Sequence, residues 1–121
     1  MSNVEIVKRF SKAFFDKDID TVKEIVAENY RFKGPMMEMN SREELIDFIQ
    51  NMPMQASEVK SDYIEQGNQV VKVCTCDFSA PPIGPQDLCE VFTVEDGKIV
   101  GNKLFYDTAK FPKPEEACEA A

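Results

Sequence analysis

The stretch Leu88-Cys89-Glu90-Val91-Phe92-Thr93-Val94-Glu95-Asp96-Gly97-Lys98-Ile99-Val100-Gly101-Asn102-Lys103-Leu104-Phe105-Tyr106-Asp107 decides the fold. Two runs rich in β-branched and aromatic residues, 88–94 and 98–105, flank Glu95-Asp96-Gly97. An Asp-Gly turn between such runs predicts an antiparallel hairpin. The hairpin carries ionisable residues on otherwise apolar strands. Glu90 stands among Leu88, Val91, Phe92 and Val94, and Tyr106 and Asp107 follow Leu104 and Phe105. Side chains alternate between faces along a strand, so Glu90, Phe92 and Val94 share one face, and Asn102, Leu104 and Tyr106 share one on the next strand. A hairpin of this kind can line a pocket.

Upstream, residues 58–65 and 69–79 read as two more strands joined at Gln66-Gly67-Asn68. Ala80-Pro81-Pro82-Ile83-Gly84-Pro85 cannot be a central strand and reads as a loop. The first half is helical in pattern. Val4, Val7, Phe10 and Phe14 recur near helical spacing over 4–15. Asp20 is the expected N-cap of a second helix over 21–28, with Val22, Ile25 and Val26 on its apolar face. Tyr30-Arg31-Phe32-Lys33 alternates as a short strand and stops at Gly34-Pro35. Ser41-Arg42-Glu43-Glu44 is a capping box for a third helix, whose Leu45, Phe48, Ile49 and Met52 fall on one face before Pro53. Helices first and a meander last predict an α+β domain over residues 1–112, followed by a flexible acidic tail over 113–121. A sheet of this length curling around three helices leaves a conical cavity with an apolar lining.

Composition narrows the function classes. At 121 residues, one domain is expected. No apolar run reaches the roughly 18 residues of a membrane helix, and the N-terminus lacks signal-peptide blocks, so a cytoplasmic protein with no membrane partner is expected. A net charge of −8 argues against a nucleic-acid partner and favours a solubility role for the acidic surface. There is no histidine. That excludes Ser-His-Asp and Cys-His catalysis and any His-ligated metal. Proton transfer in this chain must use carboxylates, Tyr, Lys, Cys or bound water. Cys74, Cys76, Cys89 and Cys118 read as reduced thiols. Cys74 and Cys76 share a strand face with Cys89 on a nearby strand, but buried cysteines are commonly small hydrophobes, and neither a metal nor a cofactor is expected.

The order of elements, with particular motifs, resembles the NTF2-like superfamily and its SnoaL-like group. The carriers are Phe14-Phe15-Asp16-Lys17-Asp18, Ala27-Glu28-Asn29-Tyr30-Arg31-Phe32, Gly34-Pro35, the capped third helix, and Val91 to Val100 closed by Phe105-Tyr106-Asp107. The resemblance implies three helices in a curved, mostly antiparallel sheet forming a cone-shaped barrel, often a homodimer through the outer sheet face. It implies a range of functions: ketosteroid isomerases, polyketide cyclases, epoxide hydrolases, dehydratases and non-catalytic binding modules. The isomerase branch places its general base where this chain has Lys33-Gly34-Pro35, so that base is missing, while Glu90 could match the acid of the penultimate strand.

Glu90 is the leading catalytic candidate, because burial against the pocket would raise its pKa. The opposite face, with Cys89 and Val91 inward, is equally open to it. Asp77 would pair with Glu90 if Val71, Val73 and Thr75 face inward. The lysine on the other face, Lys72, favours that register. Tyr106 and Asn102 are expected polar contacts, Leu104 and Phe92 apolar ones, and Tyr30, Phe32, Met37 and Tyr63 wall residues. Three readings follow: a pocket for a small hydrophobic or carbonyl-bearing molecule, an acid/base enzyme using pocket carboxylates, or a protein-interaction module.

Overall fold

The computed structural model describes residues 1–112. The expected tail and Cys118 lie outside the described residues. Three helices, α1 (Asn3–Asp16), α2 (Ile19–Ile25) and α3 (Arg42–Gln50), accompany strands β1 (Val26–Lys33), β2 (Glu38–Met39), β3 (Gln55–Gln66), β4 (Gln69–Ala80), β5 (Gly84–Glu95) and β6 (Lys98–Tyr106). The strands form one sheet in the order β2-β1-β6-β5-β4-β3. β3 to β6 make an antiparallel meander, whereas β1 runs parallel to β6. The α+β architecture is the expected one. The barrel is open, with β2 and β3 as its edges.

Local chemistry sets the element boundaries. Ser2 Oγ accepts from Glu5 N–H and the Glu5 carboxylate accepts from Ser2 N–H, a reciprocal cap that opens α1. Asp18, not Asp20, caps α2, accepting from both the backbone N–H and the hydroxyl of Thr21. The helix therefore starts two residues early and stops at Ile25. Residues 26–28, expected as helix, are strand, because Val26 pairs with Ile99 of β6 and long-range pairing overrides local helical spacing. Ser41 caps α3 as expected, but the Glu44 carboxylate reaches the Asn40 N–H rather than that of Ser41. At the closing hairpin, Asp96 (φ 51°) and Gly97 (φ 75°) both take the left-handed conformation that a two-residue turn with matching twist requires. The segment expected as a loop yields its last residues to β5, where Gly84 and Pro85 face Phe78 and Asp77. Proline is tolerated there because it sits at the start of the strand.

One irregularity shapes the interior. On β3, Glu58 faces Cys76 and Lys60 faces Thr75, so Val59 is an extra residue and stands exposed. A bulge of this kind switches the inward parity of the strand. Ala56 and Glu58 point inward before it, and Ser61 and Tyr63 after it. The core gathers α1, α2 and α3 on the same sheet face, with Phe10 against Phe92 at 5.6 Å between ring centroids.

Candidate functional site

The inner face of β4 carries Val70, Lys72, Cys74, Cys76 and Phe78, and all five are buried. Val73 and Asp77 point outward and are exposed. The expectation that Asp77 joins Glu90 in the cavity is thus corrected: Asp77 stands on the outer face. Four apolar or thiol side chains outweigh one lysine in choosing the face, and the lysine finds partners inside. Lys72 is only 2% exposed. Its ammonium donates to Ser11 Oγ at 2.9 Å and lies 2.8 Å from Glu58 Oε1. Ser61 Oγ donates to the same Glu58 carboxylate, an arrangement the Val59 bulge makes possible.

Cross-strand register then orders the floor of the sheet. Lys72 faces Glu90, which faces Leu104. Cys74 faces Leu88, which faces Tyr106. Asn102 Nδ2 donates to Glu90 Oε2 at 3.0 Å. These residues line a cavity of about 150 Å³ whose remaining wall is largely apolar, with Phe10, Phe14, Phe32, Phe48 and Met39 among its members. Of the residues singled out in the sequence, Tyr30, Phe32, Met37, Glu90, Asn102, Leu104 and Tyr106 line it. Phe92 shares the Glu90 face but is fully buried in the core below. Tyr63 packs against the core, with Lys8 Nζ 5.2 Å from its ring centre. Asp107 accepts from Ala109 N–H and closes a turn after β6. Cys89 faces Val73 and Phe105 on the outer side of the sheet, so the three thiols do not converge. Among the described residues no three His, Cys, Asp or Glu side chains form a metal nest.

The electrostatics follow from burial and partners. Burial raises the Glu90 carboxyl above its ordinary value, while the Lys72 ammonium and the Asn102 amide pull it back. Glu90 keeps partial solvent contact because it faces the cavity, yet its carboxyl is surrounded by protein. Burial would lower Lys72, but its bond to Glu58 and the Glu90 and Glu58 charges more than offset this and hold it raised. Glu58 is the converse: burial would raise it, and the Lys72 and Ser61 bonds hold it low. Burial raises Tyr30 and Tyr106. The Tyr30 hydroxyl lies near the Asn102 side chain, and neither it nor Asn102 Oδ1 has a partner of hydrogen-bond geometry among the described residues. The neighbouring Cys76 thiol and burial raise Cys74.

The SnoaL-like domain family matches residues 7–102. The chain belongs to the SnoaL-like domain family. No curated relative matches it. Among solved structures, an NTF2-like protein of unknown function from Cytophaga hutchinsonii is similar at TM-score 0.77 and 19% identity, covering 89% of this chain and 92% of that one. An NTF2-like protein of unknown function from Burkholderia pseudomallei aligns at TM-score 0.76 and 23% identity, over 91% and 95%. An LEH-like epoxide hydrolase of M. tuberculosis aligns at TM-score 0.70 and 17% identity, over 88% and 83%. These likenesses establish the fold. No helix among the described residues is long and apolar enough to cross a membrane.

Sequence reasoning passed over Lys72, Ser11 and Glu58 as site groups. A signal was present: a lysine alternating with apolar residues at positions 70, 74, 76 and 78 needs an internal acid. Removing that acid should be costly. Glu58→Gln is expected to lower stability by about 1–3 kcal/mol, below the full cost of breaking a buried pair because Glu58 is a quarter exposed. Urea denaturation of both proteins checks it; an unchanged midpoint would contradict the buried pair.

Proposed function

We propose that the cavity binds a small, partly hydrophobic molecule bearing a carbonyl or hydroxyl oxygen. The observation that carries this is the pairing of an apolar cavity with two buried polar atoms lacking partners, Tyr30 OH and Asn102 Oδ1. A buried polar group left unpaired costs about 1–3 kcal/mol; a ligand oxygen that accepts from the Tyr30 hydroxyl recovers part of that cost, and a ligand hydroxyl can in addition donate to Asn102 Oδ1. The volume, about 150 Å³, limits the ligand to roughly one ring, since a cavity of that size holds a benzene.

A second reading is favoured by Glu90. A carboxyl raised by burial, facing the cavity and oriented by Asn102, is suited to exchange a proton with the ligand. In a chain without histidine it is the best-placed acid/base group. The epoxide-hydrolase neighbour illustrates that this fold hosts such chemistry, and the fold does not choose the reaction. Reduced thiols in the cavity wall fit a cytoplasmic setting.

The protein is also proposed to form a homodimer. Val73 (44% exposed), Cys89 and Phe105 (56% exposed) form a cross-strand row on the outer sheet face, beside Ile64, Val71 and Val91. Apolar rows of this kind favour burial against a second copy.

Two experiments test these readings. Small cyclic ketones and phenols should raise the melting temperature with concentration, and their oxygen-free analogues should bind about tenfold more weakly, the equivalent of one lost hydrogen bond. Leu104→Trp, which fills the cavity, should abolish the shift. Glu90→Gln should keep binding while losing any turnover found. Absence of a shift with every compound, or a shift that survives Leu104→Trp, overturns the pocket assignment. For the dimer, sedimentation velocity should give a dimer for the natural chain and a monomer for Phe105→Glu. A monomer in both cases removes the interface.

A further inference from the structure

The inner face of the sheet is covered in two different ways. At the level of Lys72 helices cover it: Ser11 of α1 meets Lys72, and Phe10 of α1 meets Phe92. Further along β4, Cys74, Cys76 and Phe78 form a second buried cluster, and of the side chains packed on it only Phe15 comes from a helix. Phe78 lies near the end of β4 and is still buried. Phe111 covers it, with ring centres 5.2 Å apart and the planes at 89°. The Phe111 ring also stands 4.8 Å from Tyr106, at 60°. These are the edge-to-face contacts that a bound aromatic ring would make in the same place.

Phe111 reaches this position on a short strap. Beyond the end of β6, Asp107 accepts from Ala109 N–H and the Thr108 carbonyl accepts from Phe111 N–H. Both bonds lie inside the strap. Among the described residues, no hydrogen bond ties 107–111 to a helix or to the sheet. Ala109 and Lys110 are exposed, so the Phe111 ring is the strap's main anchor. A segment with few buried apolar contacts and no long-range hydrogen bonds opens without unfolding the rest of the fold.

The wall beneath the strap is longer than one ring needs. From Lys72 to Phe78 the inner face of β4 runs roughly 20 Å. Residues from both ends line the same cavity, Phe111 among them. Its volume of about 150 Å³ suits a single ring, and the Phe111 ring takes the room of another.

We propose that Phe111 sets the size of the ligand: it occupies the seat of a second ring between Tyr106 and Phe78, and two-ring phenols displace it while one-ring compounds bind beneath it. This rests on the reading that the cavity takes small oxygen-bearing molecules. The ligand oxygen stays at the Tyr30 and Asn102 end. The second ring takes over the contacts that Phe111 gives up, so the apolar surface of the second cluster stays covered. The remaining cost is release of the strap, and the fraction of molecules with the strap open scales the affinity for two-ring ligands.

The test compares phenol with 4-phenylphenol on the natural chain and on Phe111→Ala, by isothermal titration calorimetry. Phenol should bind both chains within about threefold, because it leaves the strap seated. The variant should bind 4-phenylphenol at least about tenfold more tightly than the natural chain, as for a strap open in about one molecule in ten or fewer. A general loosening of the fold would change both ligands alike, so the ratio isolates the seat. A second measurement keeps the ring in place: a single fluorine on Phe111 is followed by NMR. 4-Phenylphenol should move its signal to that of the urea-unfolded chain, and phenol should not. If phenol binds but Phe111→Ala leaves the ratio unchanged, or the fluorine signal stays put with 4-phenylphenol bound, the strap proposal is overturned and the binding reading stands. If neither compound binds either chain, both fall.

Discussion

The interior depends on one buried ion pair, the Lys72 ammonium held between Glu58 and Ser11. An ammonium that is only 2% exposed pays a desolvation penalty of several kcal/mol and stays only with good partners. The Val59 bulge provides them. By switching the parity of β3, it brings Glu58 and Ser61 to the same side, where Ser61 steadies the carboxylate that meets Lys72. Once Lys72 is inside, the strand period of two places Cys74, Cys76 and Phe78 inside as well and sends Val73 and Asp77 out. Register then brings Glu90 opposite Lys72.

This explains which features were legible in the sequence. The Asp96-Gly97 turn, the Ser41 cap and the helical spacing of α1 are local signals, and each appears where the residues place it. The direction of β4 is not local. Its two faces, Val70-Lys72-Cys74-Cys76-Phe78 and Val71-Val73-Thr75-Asp77-Ser79, both mix apolar and polar residues, and a lysine counts as an outward vote when each strand is read alone. The bulge on the neighbouring strand supplies the carboxylate partner that lets Lys72 join the four apolar or thiol side chains inside, and an extra residue such as Val59 leaves no mark on composition. The strand character of 26–28 was hidden for a similar reason, since it comes from pairing with β6, some seventy residues away. Within the site, Glu90, Asn102, Tyr30 and Tyr106 were legible as polar residues on apolar strands, whereas Asp77 and Tyr63 required the register.

The cavity divides its labour along the sheet. Polar groups cluster at the Lys72–Glu90–Asn102 level, next to Tyr30, and thiols and aromatics occupy the rows toward Tyr106 and Phe111. A one-ring ligand with an oxygen substituent, as proposed, would meet hydrogen-bonding partners on one side and soft, polarisable side chains on the other. The SnoaL-like fold supplies the container, and under the proposed binding reading this polar end would make the specific contacts. Without histidine, the environment of one carboxyl sets what proton chemistry is available.

The state of that carboxyl tests the account most directly. Site-resolved carbon NMR of the Glu90 side-chain carboxyl, followed across pH, should give a midpoint clearly above the ordinary glutamate value of about 4.3. Because the folded form then holds the proton more tightly than the unfolded chain, protonation of Glu90 should stabilise the fold as pH falls through that midpoint. A midpoint at or below the ordinary value would mean that Glu90 is solvated or dominated by Lys72, and would contradict the buried, cavity-facing site described above.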